Sequence, residues 1–192
     1  MSEPYWEPLA AAQGNPKITT GLLSAGPPAS PNDGDIWIAT NVDGAGGRWQ
    51  FQYDAAWVTD AHKWKFIGGV SYTMADDGAV TYASTTYGQP TGAGAAATVF
   101  TAVRAGVYDA SHIGTFNANT GAVINVGLLF GAAGLNLPIL YGSAAEYRPG
   151  GGGPKRGPAI TAGQVIAPIY AVTTGTVTAQ YRTTTVRPQR IS

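Results

Sequence analysis

The stretch GDIWIATNVDGAGGRWQFQYDAAWVTDAHKWKFIGG, residues 34–69, decides how this chain is expected to fold. Three short runs in it, Ile36–Ile38, Trp49–Tyr53 and Trp64–Phe66, alternate side chain by side chain, and successive side chains of a β-strand point to opposite faces. The segments between the runs are rich in Asn, Asp and Gly, which are turn residues. The stretch therefore predicts a small antiparallel meander with one aromatic face and one polar face.

Tryptophan is concentrated in this meander. Four of the five tryptophans of the chain lie here, at Trp37, Trp49, Trp57 and Trp64. A module of this size buries little aliphatic surface, and large aromatic side chains compensate because each buries a large apolar area. We therefore expect the aromatic side chains to form a miniature core.

The remainder of the chain has the pattern of evenly spaced short strands separated by glycine-containing turns. No amphipathic helical period interrupts this pattern, which favours an all-β fold and a β-sandwich. The predicted strands are Val70–Thr73, Val80–Ala83, Thr98–Val103, Gly106–Phe116, Ala122–Phe130, Leu137–Tyr141, Gln164–Val172 and Thr176–Val186.

The strand Gln164–Val172 is apolar on both of its faces. Such a strand is expected to be covered on both sides, by its own sheet and by another subunit. Pro168 lacks a backbone N–H, which restricts the strand to a sheet edge or a bulge at that point.

The N-terminal segment is rich in proline and has no sustained period, so it is expected to be an extended arm. Residues 1–32 form this arm, residues 33–70 the meander module and residues 71–192 the sandwich. The arm carries apolar side chains that would anchor it on a neighbouring subunit or on the surface of a larger particle. These candidate anchors are Tyr5, Trp6, Leu9, Leu22 and Leu23. A disordered tail is the alternative interpretation of the arm.

Composition limits the possible partners. Charged residues make up 11% of the 192-residue chain, against about 25% in ordinary soluble proteins. Either hydroxyl-rich surfaces replace the charges, or much of the surface is buried against other chains. The formal net charge is zero, which argues against nucleic acid and against an anionic membrane as partners. No apolar run approaches roughly 18 residues, so we expect no membrane insertion.

The side chains that could support catalysis or metal binding are few. The chain has no cysteine and two histidines, His62 in a turn and His112 in a strand. Ser111 and His112 are adjacent on that strand and point to opposite faces, so they cannot form a nucleophile–base pair. His112 is therefore expected to be a packed or hydrogen-bonded strand residue. Two isolated histidines are also too few for a zinc site.

Two acidic pairs occur in turns next to glycine, Asp33 with Asp35 and Asp76 with Asp77. Asp in such positions accepts hydrogen bonds from the turn backbone, and a calcium loop would need more oxygen ligands at alternating spacing. Paired carboxylates for glycoside hydrolysis remain geometrically possible across strands. We predict no catalytic residue, no metal, no cofactor and no enzymatic activity.

The run Gly150–Gly153 is bracketed by prolines and is not followed by a helix, so it is unlike a phosphate-binding loop. It is expected to be a flexible exposed loop, and loops on a rigid sandwich commonly carry recognition. Its candidate receptor-facing residues are Tyr147, Arg148, Lys155 and Arg156. A solvated hairpin tip without a partner is the alternative.

Several segments resemble a known family. The segments are Pro28–Asp35, Trp49–Tyr53, Lys63–Gly69, Ala179–Arg182 and Val186–Ser192. Their order resembles that of virion structural proteins of tailed bacteriophages infecting actinobacteria, often described as minor tail proteins. The resemblance covers roughly Pro28–Gly69 and the last strand, and it identifies no catalytic residue.

The resemblance implies a fold, an assembly and a set of roles. In that family the aromatic module precedes a β-sandwich similar to the jelly-roll or tumour-necrosis-factor-like class, which is usually trimeric. It therefore implies a homotrimer that contacts other virion proteins of the tail or capsid, is assembled in the host cytoplasm and resides in the virion. The implied role is tail-associated, either engaging a host cell-surface glycan or building the tail tip. The alternatives are a capsid decoration protein and, more weakly, a glycan-degrading tail enzyme.

Overall fold

The structure is a computed structural model and describes residues 15–42, 44, 46–57, 61–90, 95–118, 123–141 and 148–192. These residues form thirteen β-strands and one short 3-10 helix, Ala95–Thr98, and none of their helices is long and apolar enough to cross a membrane. The strands are β1 (Ile18–Leu22), β2 (Ile36–Thr40), β3 (Arg48–Tyr53), β4 (Trp64–Gly69), β5 (Tyr72–Asp76), β6 (Val80–Tyr82), β7 (Phe100–Thr101), β8 (Gly106–Ala118), β9 (Ile124–Phe130), β10 (Ala133–Tyr141), β11 (Arg148–Arg156), β12 (Val165–Val172) and β13 (Val177–Ile191).

The strands form two sheets. The larger has nine strands along the path β1-β2-β3-β4-β13-β8-β11, with β5 and β6 also paired to β13, and the smaller has the order β10-β9-β12-β7. The sheets contact each other through Phe116 of β8 and Tyr170 of β12, whose ring centroids lie 5.7 Å apart. The predicted all-β class is confirmed, and the architecture is two packed sheets. The large sheet continues from the meander into the sandwich without a break, and the division into three units stays a prediction.

Strand β13 organises the large sheet. Along one edge it pairs with β8 from Val177 to Ile191, and along the other it pairs in turn with β6, β5 and β4. The sequence predicted that this strand ends near Val186, before Pro188. Instead the strand continues to Ile191, with a register irregularity between Pro188 and Arg190 that accommodates the proline. The residues from Arg187 to Ile191 are therefore part of the sheet.

The aromatic meander has the predicted architecture. Strands β2, β3 and β4 pair antiparallel in sequence order, and Trp37, Trp49 and Phe51 are completely buried. The rings of Trp37 and Phe51 stack with centroids 5.7 Å apart. In β2 the core side is that of Trp37, whereas Ile36 and Ile38 lie half-buried on the opposite face.

Gly69 fixes the end of β4. Its φ of +125° is a conformation that other residues rarely adopt, and a Cβ there would lie 2.3 Å from the carbonyl oxygen of Arg48. The close approach lets Trp49 donate its indole N–H to the carbonyl of Val70 at 2.7 Å. The Gly-Gly pair that closes the aromatic stretch therefore serves close backbone packing.

The strand β12 is buried along both faces, as its sequence predicted. Ala167 is fully buried on one face and Ile166 on the other. Since this burial is complete within a single chain, the strand itself supplies no argument for a second subunit. Tyr170 and Val172 donate their N–H groups to the backbone carbonyls of Gly88 and Ser84. Because every second residue of a strand directs its backbone nitrogen to the same side, the ring nitrogen of Pro168 also faces that side. Strand β12 lies between β9 and β7 and is not an edge strand, but among the described residues no ladder faces the Pro168 nitrogen, which falls between the pairing of Ile166 with β7 and the bridge of Tyr170 to Gly88.

The N-terminal segment is partly integrated into the sheet. Of the five predicted anchors, Tyr5, Trp6 and Leu9 lie outside the described residues. Residues 18–22, predicted as arm, form β1, which pairs in parallel with β2. Leu22 is 51% exposed, whereas Leu23 is buried in the core of this chain. Leu23 is therefore not available to anchor the chain on a neighbour, and this prediction is corrected.

The glycine run Gly150–Gly153 is not a loop, and this prediction was wrong. It lies in β11, which pairs antiparallel with β8 and forms an edge of the large sheet. Glycine has no side chain to alternate, so the sequence carries no period by which this strand could be detected. Pro149 and Pro154 fit the edge position because a proline cannot donate to a further strand.

A groove beside the C-terminal strand as the candidate functional site

An open groove of about 490 Å³ lies where the meander meets the end of β13. Strand β4 contributes Lys65 and Phe66 to it, and β13 contributes Gln189 and Arg190. The remaining lining residues are Trp57, Val107, Arg156, Gly157, Pro158 and Ala159. A concave site lined by apolar groups with a few polar side chains is the usual form of a binding site.

The sheet topology creates this groove. Lys65 and Arg190 are direct cross-strand partners in the β4–β13 pair, although 125 positions separate them in the sequence. On its other edge β13 pairs with β8, which carries Val107, and β8 in turn pairs with β11, which ends at Arg156. Four segments distant in the sequence are thus brought to one place.

Arg190 is the central residue of the groove. Its Nη2 donates to a carboxylate oxygen of Asp54 at 2.9 Å, and its guanidinium lies 3.6 Å from the centre of the Trp57 ring. The hydrogen bond from Arg190 holds the pKa of the Asp54 carboxyl below its usual value. Stacking on an aromatic face and pairing with a carboxylate are the two interactions for which a planar guanidinium is suited.

The groove and its border carry an excess of positive charge. Asp109 accepts hydrogen bonds from Gln189 and Arg187, and it forms a 3.7 Å ion pair with Arg156. Arg156 nevertheless has a side chain that is 68% exposed. Two carboxylates, Asp54 and Asp109, thus face a larger set of cations: Lys65, Arg156, Arg187 and Arg190. This local excess contrasts with the zero formal net charge of the whole chain.

A second polar cluster lies in the core between the sheets. His112 is completely buried, with Nδ1 2.9 Å from the Thr184 hydroxyl and Nε2 2.8 Å from the Tyr170 hydroxyl. Burial, with the positive charge of Arg182 adding to it, lowers the pKa of His112 to about 3. Burial likewise raises the pKa of Tyr170. The prediction of a packed, hydrogen-bonded His112 is confirmed, and the cluster consists of neutral groups that satisfy one another.

Arg182, beside this cluster, is fully buried and is paired with Asp76. The same Asp76 accepts a hydrogen bond from the backbone N–H of Gly78 at 3.0 Å, so the predicted turn role is confirmed for Asp76. The partnership with a buried arginine could not be predicted because Arg182 lies in a threonine-rich run with no charge pattern. An open groove of about 400 Å³ borders the pair.

The other acidic pair also stabilises backbone turns. Asp35 accepts hydrogen bonds from the N–H groups of Lys17 and Asn32, both at 2.9 Å, and these bonds lower the pKa of its carboxyl. Asp33 accepts one from Ala55 at 2.9 Å. Within the described ranges no three His, Asp or Glu side chains are grouped so that they could hold a metal ion.

The predicted receptor-facing residues are dispersed. Arg148 and Arg156 lie at opposite ends of β11, about 25 Å apart at the rise of a β-strand. Arg156 lines the groove, and Lys155 is exposed outside it. Tyr147 lies outside the described residues. Sequence reasoning missed Trp57, Lys65 and Arg190 as site residues, since nothing in the sequence links positions so far apart.

Comparisons with known proteins add little. No protein-family profile and no curated protein sequence matches the chain. Among solved structures, the chain is similar to a chain in the structure of infectious bursal disease virus, Gx strain, with 10% identity and a TM-score of 0.30. The match covers 76% of this chain and 43% of that chain, so this chain spans less than half of its length. At this TM-score the similarity supports no argument about function.

Proposed function

We propose that this chain is a structural protein of a bacteriophage virion, associated with the tail, where it contributes to tail-tip architecture and host-surface engagement. One observation carries the proposal. The sequence segments that resemble phage minor tail proteins, the aromatic module and the C-terminal residues, form a single structural unit. Trp64 pairs with Ile191, Lys65 pairs with Arg190, and Arg190 stacks on Trp57.

This contact supports the resemblance because the two segments lie at opposite ends of the chain. Residues that define a family pattern are expected to be those that a shared packing arrangement requires. The buried faces of β3 and β13 give such a requirement: Trp49, Phe51 and Ile191 are fully buried in one continuous core.

The low charge content fits a protein that is buried in an assembly, and a homotrimer is part of the proposal. We further propose that the chain is not an enzyme, because the buried titratable side chains His112 and Arg182 have structural partners. His112 is enclosed by Thr184 and Tyr170, and Asp76 neutralises Arg182.

Immunogold electron microscopy of the phage particles, with antibody raised against residues 70–192, tests the location. Gold at the distal tail is the expected result. Gold spread over the head would overturn the tail assignment and make the chain a capsid decoration protein. If mass spectrometry of purified particles does not detect the chain, the virion role itself is refuted.

Sedimentation analysis of the purified chain tests the assembly. A trimer is expected at micromolar concentration, and a stable monomer there would contradict it.

A further inference from the structure

The groove between β4 and β13 has the charge of an anion-binding site. Lys65 and Arg156 are exposed cations on its two sides, and both are available to a ligand, since Lys65 is on the solvent side of β4 and the Arg156 side chain is 68% exposed. The nearby carboxylates, Asp54 and Asp109, are already paired with arginines. An anionic group that enters would therefore meet cations rather than free carboxylates.

The groove also offers flat apolar surface. Trp57 is 36% exposed although one face of its ring is stacked against Arg190, and Phe66, which also lines the groove, is half-buried. Aromatic rings of this kind present an apolar face with specific geometry, which matches the C–H face of a sugar ring. The Gln189 amide oxygen accepts a hydrogen bond from Arg156 at 3.2 Å, so Gln189 holds the Arg156 guanidinium at the groove. A partner that combines an anionic group with a flat, hydroxylated ring uses all of these groups.

An extended acidic peptide fits the groove less well. Peptides that bind sheets in extended form pair with a free strand edge. Here β13 is paired on both sides at Arg190, with β4 and with β8, so the groove lies over side chains and not along an open edge. Pro158 on the opposite wall has no backbone N–H to donate.

We propose that this groove binds an anionic glycan, a polymer whose sugar or polyol units carry carboxylate or phosphate groups. Arg156 and Lys65 bind the anionic groups, and Trp57 packs against a ring. The inference rests on the proposed function in one respect, that the glycan belongs to the envelope of the host cell.

Binding of defined polymers to the full chain, measured by isothermal titration calorimetry, tests the proposal. The probes are an oligogalacturonate for the carboxylate, a poly(glycerol phosphate) oligomer for the phosphate, dextran as a neutral glycan and poly-glutamate as an acidic peptide. We expect one of the two anionic glycans to bind, and which one binds identifies the anionic group. Dextran should not bind, and poly-glutamate should bind at least tenfold more weakly, on the order of a lost charge-assisted contact.

Two variants and a matched control locate the site. Arg156→Ala and Lys65→Ala should each weaken binding about tenfold or more, because each removes a charged hydrogen-bond donor. Lys155→Ala removes the same charge from the neighbouring position of β11, outside the groove, and should change affinity less than about twofold. Circular dichroism of the three variants checks that they are folded, which is expected since the substituted side chains are exposed.

Three results would overturn the proposal: no binding of either anionic glycan, equal weakening by Lys155→Ala, or poly-glutamate binding as tightly as the glycans. Failure here is distinguishable from failure of the proposed function. Particles labelled at the tail together with a chain that binds no anionic glycan would refute only the groove assignment.

Discussion

The guanidinium of Arg190, two residues from the C-terminus, lies 3.6 Å from the centre of the Trp57 ring in the turn between β3 and β4. The contact joins the last strand of the chain to the aromatic meander near its beginning. Since Arg190 also donates to Asp54, the arginine is held between an aromatic face and a carboxylate.

The first prediction concerns this contact. Trp57→Ala and Arg190→Ala should each lower the free energy of unfolding. The double variant should lose less stability than the sum of the two single losses. The coupling free energy is expected to be about 0.5–2 kcal/mol, a range whose lower end applies to exposed cation–π pairs and whose upper end applies to desolvated pairs. Urea unfolding of the four proteins in a double-mutant cycle measures it.

The control for this cycle is Arg187→Ala combined with Trp57→Ala. Arg187 lies on the same strand, contacts Phe66 at 5.9 Å and is not in contact with Trp57 in the described structure. The losses in free energy of unfolding caused by Arg187→Ala and Trp57→Ala should be additive. A coupling as large as that of Arg190 would show that the effect is not specific to the stacked pair.

The second prediction concerns pH and the buried His112. Its folded-state pKa of about 3 lies below the ordinary value of 6.5, so between these values the unfolded chain binds a proton that the folded chain does not. Stability should therefore fall as the pH is lowered from about 6.5 towards 3, by at most about 1.4 kcal/mol per pH unit from this group. Urea midpoints of the wild type and of His112→Gln between pH 4 and pH 7 measure the difference.

The expected outcome is a flatter pH profile for His112→Gln, whatever its stability at pH 7. Ser111→Ala, a substitution of a non-titrating neighbour on the same strand, serves as the control and should retain the slope of the wild type. If the slope of His112→Gln equals that of the wild type, His112 is not the group responsible.

The strand pattern of this chain could be predicted wherever side chains alternate. In β3, Trp49 and Phe51 point to the core and Gln50 and Gln52 to solvent, as the period of two requires. The pattern failed for β11, because its glycines have no side chains that could alternate between the two faces of a strand. It also failed for the end of β13, because Pro188 is a residue that usually ends a strand. In both places a long neighbour, β8, supplies the hydrogen-bond partners, which a local pattern cannot show.

The groove could not be predicted for the same reason. Its cations come from β4, β11 and β13, and only the pairing order of the sheet brings them together. Individual chemical roles were more accessible: the turn carboxylates Asp35 and Asp76 and the packed His112 follow from local sequence. The ion pair of Asp76 with Arg182 depends on the register of β5 on β13 and was beyond local reasoning.

The third prediction concerns this ion pair. Asp76→Asn leaves Arg182 buried without its carboxylate and should destabilise the protein by about 3 kcal/mol. Asp77→Asn, an exposed neighbour, should change the free energy of unfolding by less than about 0.5 kcal/mol. Urea denaturation of both variants makes the comparison.

A second substitution separates the charge from the packing. Combining Asp76→Ala with Arg182→Met removes both charges and should recover part of the stability lost in Asp76→Ala alone, because a buried arginine whose charge is not compensated is more costly than an apolar side chain. If the double variant is less stable than Asp76→Ala, the pair contributes net stability and the argument from an uncompensated charge is wrong.

The fourth prediction concerns Gly157, which lies under the groove and against the core. A Cβ at this position would lie 2.1 Å from a ring carbon of the buried Phe130, so the chain passes too close to the ring for any side chain. Gly157→Ala should therefore cost about 1–3 kcal/mol through overpacking. Gly68→Ala is the control, since the nearest atom to a Cβ there is the flexible Gln50 side chain at 3.7 Å. Phe130→Leu should partly relieve the clash, so the variant that combines it with Gly157→Ala should lose less stability than the sum of the two single losses. An additive loss, measured by thermal unfolding, would show that the Phe130 ring is not the obstacle.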